Sequence, residues 1–442
     1  MTQPAAQGGA TEGTAWNRLA EAAAGWRRPG GIPPRVRAAL IGIAWAAILV
    51  GVLKMAVGHM LTMPTGRDWN DSYVYLGAAS DFISHPSHLY DSAHLQVVRS
   101  VAQKTFVHPP SGLLPYLPLV PLVRLFGLPV AASVWTAIDT LALFAAVILA
   151  GRRFGLSWLI ISVATLLVSL SQPARWEIDS GQINGVVLLL FVLALLRMPR
   201  RDSGVLMGLA LAVKPTAPII LLVPLLRRQP AITVAAVITL VALNLPFVPL
   251  IGLAAMAFYV GTVLPFFAGY PLHDSGNIAL ANVVQTWLGG GPLPSRAPFG
   301  TAVPRGFEAL VVLWIARIAV VLVWFRAAVD RRLDVAVAVA LSLATVPFLS
   351  STIWPHYLLY VIPLALATLA TSQFWLRAAG MFSLFALCWT GRQDALWIGL
   401  IVLWVAAGVM VASAAALTAG GRGLPRLGWT RAPLPDDGHR LP

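Results

Sequence analysis

An all-α, polytopic integral membrane protein is the fold class this chain predicts, and three observations predict it. Hydrophobic residues make up 58% of the chain and charged ones only 11%. Several apolar runs exceed the roughly 18 residues that a helix needs to cross a bilayer core. Lys and Arg fall mostly in short clusters between those runs, where they orient helices and meet anionic headgroups. The net charge of +14 therefore points to the lipid bilayer as partner and not to nucleic acid. The single cysteine, Cys388, lies in an apolar run and has no intrachain partner for a disulfide.

In chain order, residues 1–35 are rich in Ala, Gly, Pro and Arg without apolar periodicity, and read as a disordered tail. The first apolar run begins near Val36 and is long enough to span, so no cleavable signal peptide is visible. Arg27, Arg28, Arg35 and Arg37 precede it. The positive-inside rule then makes the N-terminus cytoplasmic and sends the following polar interval outside.

That interval, 66–110, is the longest polar stretch of the chain and holds Asp68, Asp71, Asp81, Asp91, His85, His88, His94 and His108. The next segment, 111–126, carries Pro115, Pro118, Pro121 and Arg124. It reads as an interfacial helix, so that 66–126 forms a first outer loop and Arg152 and Arg153 end the next span on the inside. Further spans are expected near 156–172, 181–197, 204–214, 216–226, 231–250, 306–325, 335–350, 357–371, 378–391 and 394–416, about eleven or twelve in all. A second outer loop covers 251–305, the membrane domain covers 36–416, and 417–442 is a cytoplasmic tail. The two short segments around Lys214 and Pro215 read as a broken pair, a geometry tolerated only where protein or a water-filled cavity covers the free backbone.

This topology puts every histidine but His439 on the outer side, with Trp176, Glu177, Asp179, Gln182, Asn184, His273, Asp274, Asn277, Asn282 and the run Trp354-Pro355-His356-Tyr357. Chemistry or binding on the outer face is the expectation. Each candidate has two readings. Asp68 and Asp71 are suited to capping a helix that begins near Ser72, or to proton transfer. Gln182 and Asn184, opening an apolar run, can cap a helix or orient a sugar or lipid phosphate. Lys214 can snorkel to the headgroups, but an intramembrane charge is a functional candidate by default. His356 is an interface residue or a phosphate ligand whose protonation changes near neutral pH. Asn277 and Asn282 belong to a solvated loop or touch sugar or acceptor. The four histidines of the first loop are unevenly spaced and show no ligand set, so no metal site is expected.

Asp71-Ser72-Tyr73-Val74-Tyr75, then Leu89-Tyr90-Asp91, then Phe106-Val107-His108-Pro109-Pro110 resemble the first outer loop of the polyprenol-phosphate-sugar-dependent glycosyltransferases of the GT-C type. The actinobacterial α-mannosyltransferases and arabinofuranosyltransferases are the group most alike. Gly181-Gln182-Ile183-Asn184, the small-residue run from Gly208 to Lys214-Pro215, and Trp354-Pro355-His356-Tyr357 extend the resemblance over about 36–370. His108 departs from it, since Tyr is usual before Pro-Pro, and the second outer loop matches weakly, which leaves acceptor choice open.

The resemblance implies a plasma-membrane enzyme of GT-C type that moves a mannosyl or arabinofuranosyl unit from a polyprenyl-phosphate donor to an envelope glycan or lipoglycan, without a cofactor. By place in the motif Asp71 is the base on the acceptor hydroxyl, with Asp68 the runner-up. Lys214 and His356 hold the donor phosphate, and Gln182 and Asn184, with Asn277 and Asn282 as further candidates, bind sugar or acceptor. An inverting transfer needs one carboxylate for the acceptor proton and positive charge for the leaving phosphate, which agrees. The Lys-Pro helix and Leu264-Pro265-Phe266-Phe267-Ala268-Gly269 lean towards the arabinosyl members. A transporter or flippase of lipid-linked sugars is the rival, with Asp139 and Arg317 as its mid-span charges; the chain shows no internal repeat to support two inverted halves.

Overall fold

The structure is a computed structural model that describes residues 33–62, 71–90, 106–264, 277–288, 306–350, 353–388 and 393–419. Asp68, His94, His273 and Asp274 lie outside the described residues, as do most of both tails. Among the described residues there is no strand. The chain is an all-helical, multi-pass membrane protein.

Helix α1 (Pro34–Thr62) precedes α2 (Asp71–Ser84). The stretch expected as one interfacial helix is instead a 3-10 turn at Pro110–Leu113, another at Leu117–Leu119 and the short α3 (Val120–Phe126). Pro115, Pro118 and Pro121 explain the fragmentation, because each removes a backbone donor and crowds the preceding turn. The stretch is one-sided, with Leu113, Tyr116 and Val120 buried and Leu125 and Phe126 exposed, as suits a segment lying on a surface.

Gly127, at φ +84°, turns the chain into α4 (Leu128–Arg153). Helices α5 (Trp158–Leu170) and α6 (Gln172–Ser180) meet at a bend of 58°. Ser171 makes that bend stable, its hydroxyl accepting from the Ala174 amide while Pro173 occupies the first turn of α6. The chain continues through α7 (Asn184–Arg197), α8 (Asp202–Val213), the short α9 (Leu222–Leu226), α10 (Pro230–Asn244), α11 (Leu280–Leu288), α12 (Phe307–Val329), α13 (Val335–Ala344), α14 (Ile362–Leu369), α15 (Phe374–Ala386) and α16 (Gln393–Ala419).

Five of these are long and apolar enough to cross a bilayer: α1, α4, α10 with its continuation to Ile251, α12 and α16; the bent α5–α6 pair makes a sixth. The other expected spans are shorter apolar helices, several of them inside the bundle, except 216–226, which is a 3-10 turn at Pro218–Leu221 followed by the short α9. All of α14 is buried, as are Ala336 to Ala344 of α13. By contrast α10 exposes Val234, Val237, Ile238 and Val241, and α12 exposes Trp314, Ile315, Ile318 and Leu322. Apolar surface of that extent on a long helix is what a lipid-facing wall requires.

Both ends of the bundle are tied. At one end Arg153 donates to both carboxylate oxygens of Asp334 at 2.9 Å. There Arg227 spends its guanidinium on the carbonyls of Ala327, Ala328, Asp330 and Leu333. The Ala327 and Ala328 oxygens belong to the last turn of α12, so a cation there also meets the negative end of the helix dipole. At the other end Ser111 donates to the Ala212 carbonyl at 2.6 Å and to the Asn244 side chain at 2.9 Å, joining the first loop to the ends of α8 and α10.

Helices α8 and α10 run parallel and in close contact because α8 has glycine at two successive turns. A Cβ at Gly204 would collide with the Ile232 carbonyl, and one at Gly208 with the Ala236 carbonyl. Small residues four apart are how membrane helices bring their backbones together. Gly208→Val is therefore expected to cost about 1–3 kcal/mol or more, read as a lower unfolding temperature of the detergent-solubilised protein. An unchanged unfolding temperature would show that the α8–α10 contact is not this tight.

Candidate active site

The site is built where helices stop. Pro215 lacks an amide donor and disfavours helical geometry in the residue before it. Lys214 accordingly leaves α8 in an extended conformation, φ −149° and ψ 109°. Gly181 ends α6 in the left-handed region at φ 59°, where glycine pays least, and the tight turn brings Gln182 and Asn184 to the start of α7. The stretch Pro355–Val361 is a 3-10 helix, and it carries His356, Tyr357 and Tyr360.

These breaks converge. Lys214 is 4% exposed, and its Nζ donates to Asn184 Oδ1 at 2.9 Å and to Gln182 Oε1 at 3.3 Å. It also stands 4.5 Å above the Tyr357 ring, a cation–π contact. Gln182 uses the other half of its amide on the first loop, Nε2 donating to Asp71 Oδ2. A carboxylate on one side and an ammonium on the other fix which way this amide points. Asp71, the first residue of α2, is thus linked to Lys214 through a single side chain.

Beneath this pair lies a second layer. Glu177 accepts from the Asn184 side chain at 2.7 Å and from the backbone amides of Asn184 and Gly185. Asp139, from α4, accepts from the Val186 amide at 2.8 Å. Two carboxylates therefore satisfy the first amides of α7 and meet its positive end. Gly185 is required here, since a Cβ would strike Asp139. Tyr360 donates to Asn184 Oδ1 at 2.9 Å, and Trp135 Nε1 donates to the Gln182 carbonyl at 2.9 Å.

The first loop closes over the site with aromatics. Tyr75 packs against Tyr116 and His108, and Tyr116 against Trp135 with ring centroids 4.3 Å apart. His108 Nε2 lies 3.0 Å from the Tyr75 hydroxyl. Burial, with Lys214 nearby, holds the His108 imidazole well below the ordinary histidine range, so it is neutral at pH 7. Burial, then the charge of Asp71, pushes the Tyr75 phenol well up.

The remaining candidates fall into two groups. His356 is buried, and its ring lies 4.9 Å from that of Tyr357, so it and Lys214 share one aromatic neighbour. Asn277 and Asn282 sit apart, in a clamp. Asn277 Oδ1 accepts from the Ile353 amide at 2.9 Å and the Ala279 amide at 3.1 Å, and Asn282 Nδ2 donates to the Asn277 carbonyl at 2.7 Å. The clamp fixes the residue before Trp354, whose indole stacks on Trp176 at 6.2 Å.

Glu177, Tyr357 and Tyr360 are participants to which sequence reasoning gave no role. Glu177 stands five residues before Gln182, across a Gly-ended turn, and that spacing was the available signal. Asp139 had been weighed as a transport residue; it is instead the amide partner of α7. Arg317, the other mid-span charge, donates to the Phe348 carbonyl at 3.2 Å.

A helical membrane scaffold thus gathers a carboxylate, an ammonium and neutral amides at one end. The profile of glycosyltransferase family 87 matches residues 106–352, more than half of the chain, and the chain belongs to that family and is a glycosyltransferase. It is 28% identical over 342 residues, 75% of this chain and 77% of the relative, to a polyprenol-phosphate-mannose-dependent α-(1-2)-phosphatidylinositol pentamannoside mannosyltransferase of Mycolicibacterium smegmatis. Its counterpart in Mycobacterium tuberculosis is 29% identical over 72% of this chain and 71% of the relative. An α-(1->3)-arabinofuranosyltransferase of M. tuberculosis is 32% identical over 41% of this chain and 43% of the relative.

The buried neutral His108 gives the site an acid sensitivity. Its folded pKa is lowered, so the unfolded chain binds more protons, and stability is complete above about pH 6.5 and lost as pH falls below it. The unfolding temperature is expected to drop from about pH 7 to about pH 5, and His108→Gln, which cannot titrate, to drop less. Parallel curves for the two proteins would contradict this.

Proposed function

We propose that this enzyme transfers a mannosyl unit from a polyprenyl-phosphate carrier to a hydroxyl of an envelope glycolipid or lipoglycan on the outer face of the plasma membrane. The observation that carries the reading is the Asp71–Gln182–Lys214 chain, one acid and one cation held a side chain apart. Asp71 accepts the acceptor hydroxyl's proton as that oxygen attacks the anomeric carbon. The bond from that carbon to the phosphate oxygen breaks, and polyprenyl phosphate leaves with the bonding pair. Lys214, with His356 beyond the Tyr357 ring, offsets the charge growing on the phosphate. Gln182 and Asn184 orient the sugar, and Asn277 and Asn282 act through the Trp354 segment they hold. Asp68 is the alternative base.

Three further considerations support the reading. The arginine-rich turns and the site occupy opposite ends of the bundle, so the positive-inside rule that makes the N-terminus cytoplasmic puts the site outside. The mannosyltransferases match over a far longer part of the chain than the arabinofuranosyltransferase, which favours mannose over the arabinosyl lean of the sequence. The stacked Trp176 and Trp354, both half-buried, offer ring faces on which an acceptor sugar can lie.

The test is transfer by purified protein supplied with polyprenyl-phosphate mannose, or with the arabinofuranose analogue, and a phosphatidylinositol mannoside acceptor. Mannose transfer is expected, and Asp71→Asn should lower the rate by about 10²–10⁴ at unchanged expression. Full activity in that variant would remove Asp71 from the role of base. Transfer of arabinofuranose alone would replace the donor, and movement of the lipid-linked sugar across the bilayer without transfer would favour a flippase.

A further inference from the structure

The C-terminal end of α2 carries a cluster that the reaction does not use. Asp81, His85 and His88 are spaced i, i+4 and i+7, which puts them on one face while the backbone stays helical. His85 leaves the helix at φ −137° and ψ 69°, and the Pro86–His88 turn that follows is 3-10, so it is the side chains and not a continuous helical face that bring the three groups together. His85 Nδ1 lies 3.2 Å from Asp81 Oδ1, and His88 Nδ1 3.9 Å from Asp81 Oδ2. The two imidazoles stack at 9° with centroids 5.0 Å apart, so both present Nδ1 to one carboxylate. The three donor atoms lie within 4.8 Å of one another. Ligands around a tetrahedral ion with bonds of about 2.0–2.1 Å stand roughly 3.3 Å apart. Small rotations of these side chains, each more than half exposed, are enough to reach that spacing.

We propose that Asp81, His85 and His88 form a binding site for a divalent transition-metal ion of the Zn²⁺ type, separate from the glycosyl-transfer site. Two imidazoles and a carboxylate suit Zn²⁺ and its neighbours far better than Mg²⁺ or Ca²⁺, which prefer oxygen. Three protein donors leave a coordination position for water or an exogenous ligand. Asp81 and His85 also border an open surface depression lined by Gly77, Ser80, Ser84, Val123 and Leu128, which gives that position room. The ion would join the last turn of α2 to the segment ending at Tyr90, whose hydroxyl donates to the His108 carbonyl. It therefore acts as a staple across the first loop and not as a reactant. The regular spacing lay hidden because the sequence offers two further histidines, His94 and His108, to the eye; His108 is committed to Tyr75.

Full-length protein in detergent, stripped with EDTA and titrated with Co²⁺, is expected to bind one equivalent at this site, with visible absorption of a nitrogen- and oxygen-ligated ion. Zn²⁺ should compete and should raise the unfolding temperature by mass action; Mg²⁺ should do neither. His85→Ala and Asp81→Asn should each weaken Co²⁺ binding by more than about tenfold, and the His85→Ala/His88→Ala pair should abolish both absorption and thermal shift. The metal-free variants should unfold at the temperature of the metal-free wild type, which separates lost binding from lost folding. Co²⁺ binding unchanged in the double variant, or absent below millimolar concentration in the wild type, would overturn the assignment.

Discussion

The amide of Gln182 is the contact on which the rest of the site depends. It offers an acceptor to the Lys214 ammonium and a donor to the Asp71 carboxylate, so two opposite charges are held near each other without neutralising one another directly. A direct ion pair would consume both, whereas an amide between them keeps a carboxylate turned towards one reactant and an ammonium towards the other. Burial makes the arrangement costly to disturb, because removing one partner leaves an uncompensated charge in a low-dielectric setting. The lower layer keeps Gln182 in register: Trp135 holds its carbonyl, and Glu177 and Asp139 fix the first turn of α7 that follows it.

Much of the fold can be understood as the means of ending helices in one place. A lone membrane helix satisfies its own backbone, so any break inside the bilayer must be covered by protein. Here Ser171, Gly181 and Pro355 are buried and Pro215 is half-buried, while longer helices such as α10 and α12 face outward. The short helices of the interior need no lipid-spanning length, because neighbouring helices and not lipid surround them. At the far end, Arg153 and Arg227 close turns on the segments of α12 and α13, and those turns carry many of the basic residues.

Membrane class and helix positions were legible in the sequence because apolar run length and basic clusters are direct physical consequences of a bilayer. Gln182, Asn184 and Lys214 stood out as polar groups at the edges of apolar runs and Asp71 through the family motif, and the structure brings these four side chains together. What escaped is what depends on side-chain direction. The 111–126 segment looked like one helix in composition, and its three prolines divided it. Asn277 and Asn282 read as a solvated loop or as amides that touch sugar or acceptor; in the structure Asn277 accepts from the Ile353 amide and Asn282 donates to the Asn277 carbonyl. Glu177 appeared to be an outer-end polar residue until the Gly181 turn folded it under Asn184. The Asp81–His85–His88 cluster required knowing how the chain turns at His85, where it leaves helical geometry before the Pro86–His88 turn.

In the proposed reaction the two charges divide the labour, Lys214 serving the phosphate and Asp71 the acceptor. Equilibrium binding of polyprenyl phosphate, the leaving group itself, to Asp71→Asn and Lys214→Met protein tests it most directly, since no transfer is needed. The prediction is affinity close to wild type for Asp71→Asn and a loss of more than about tenfold, or 1.4 kcal/mol, for Lys214→Met. Equal losses in both variants, or none in Lys214→Met, would contradict it.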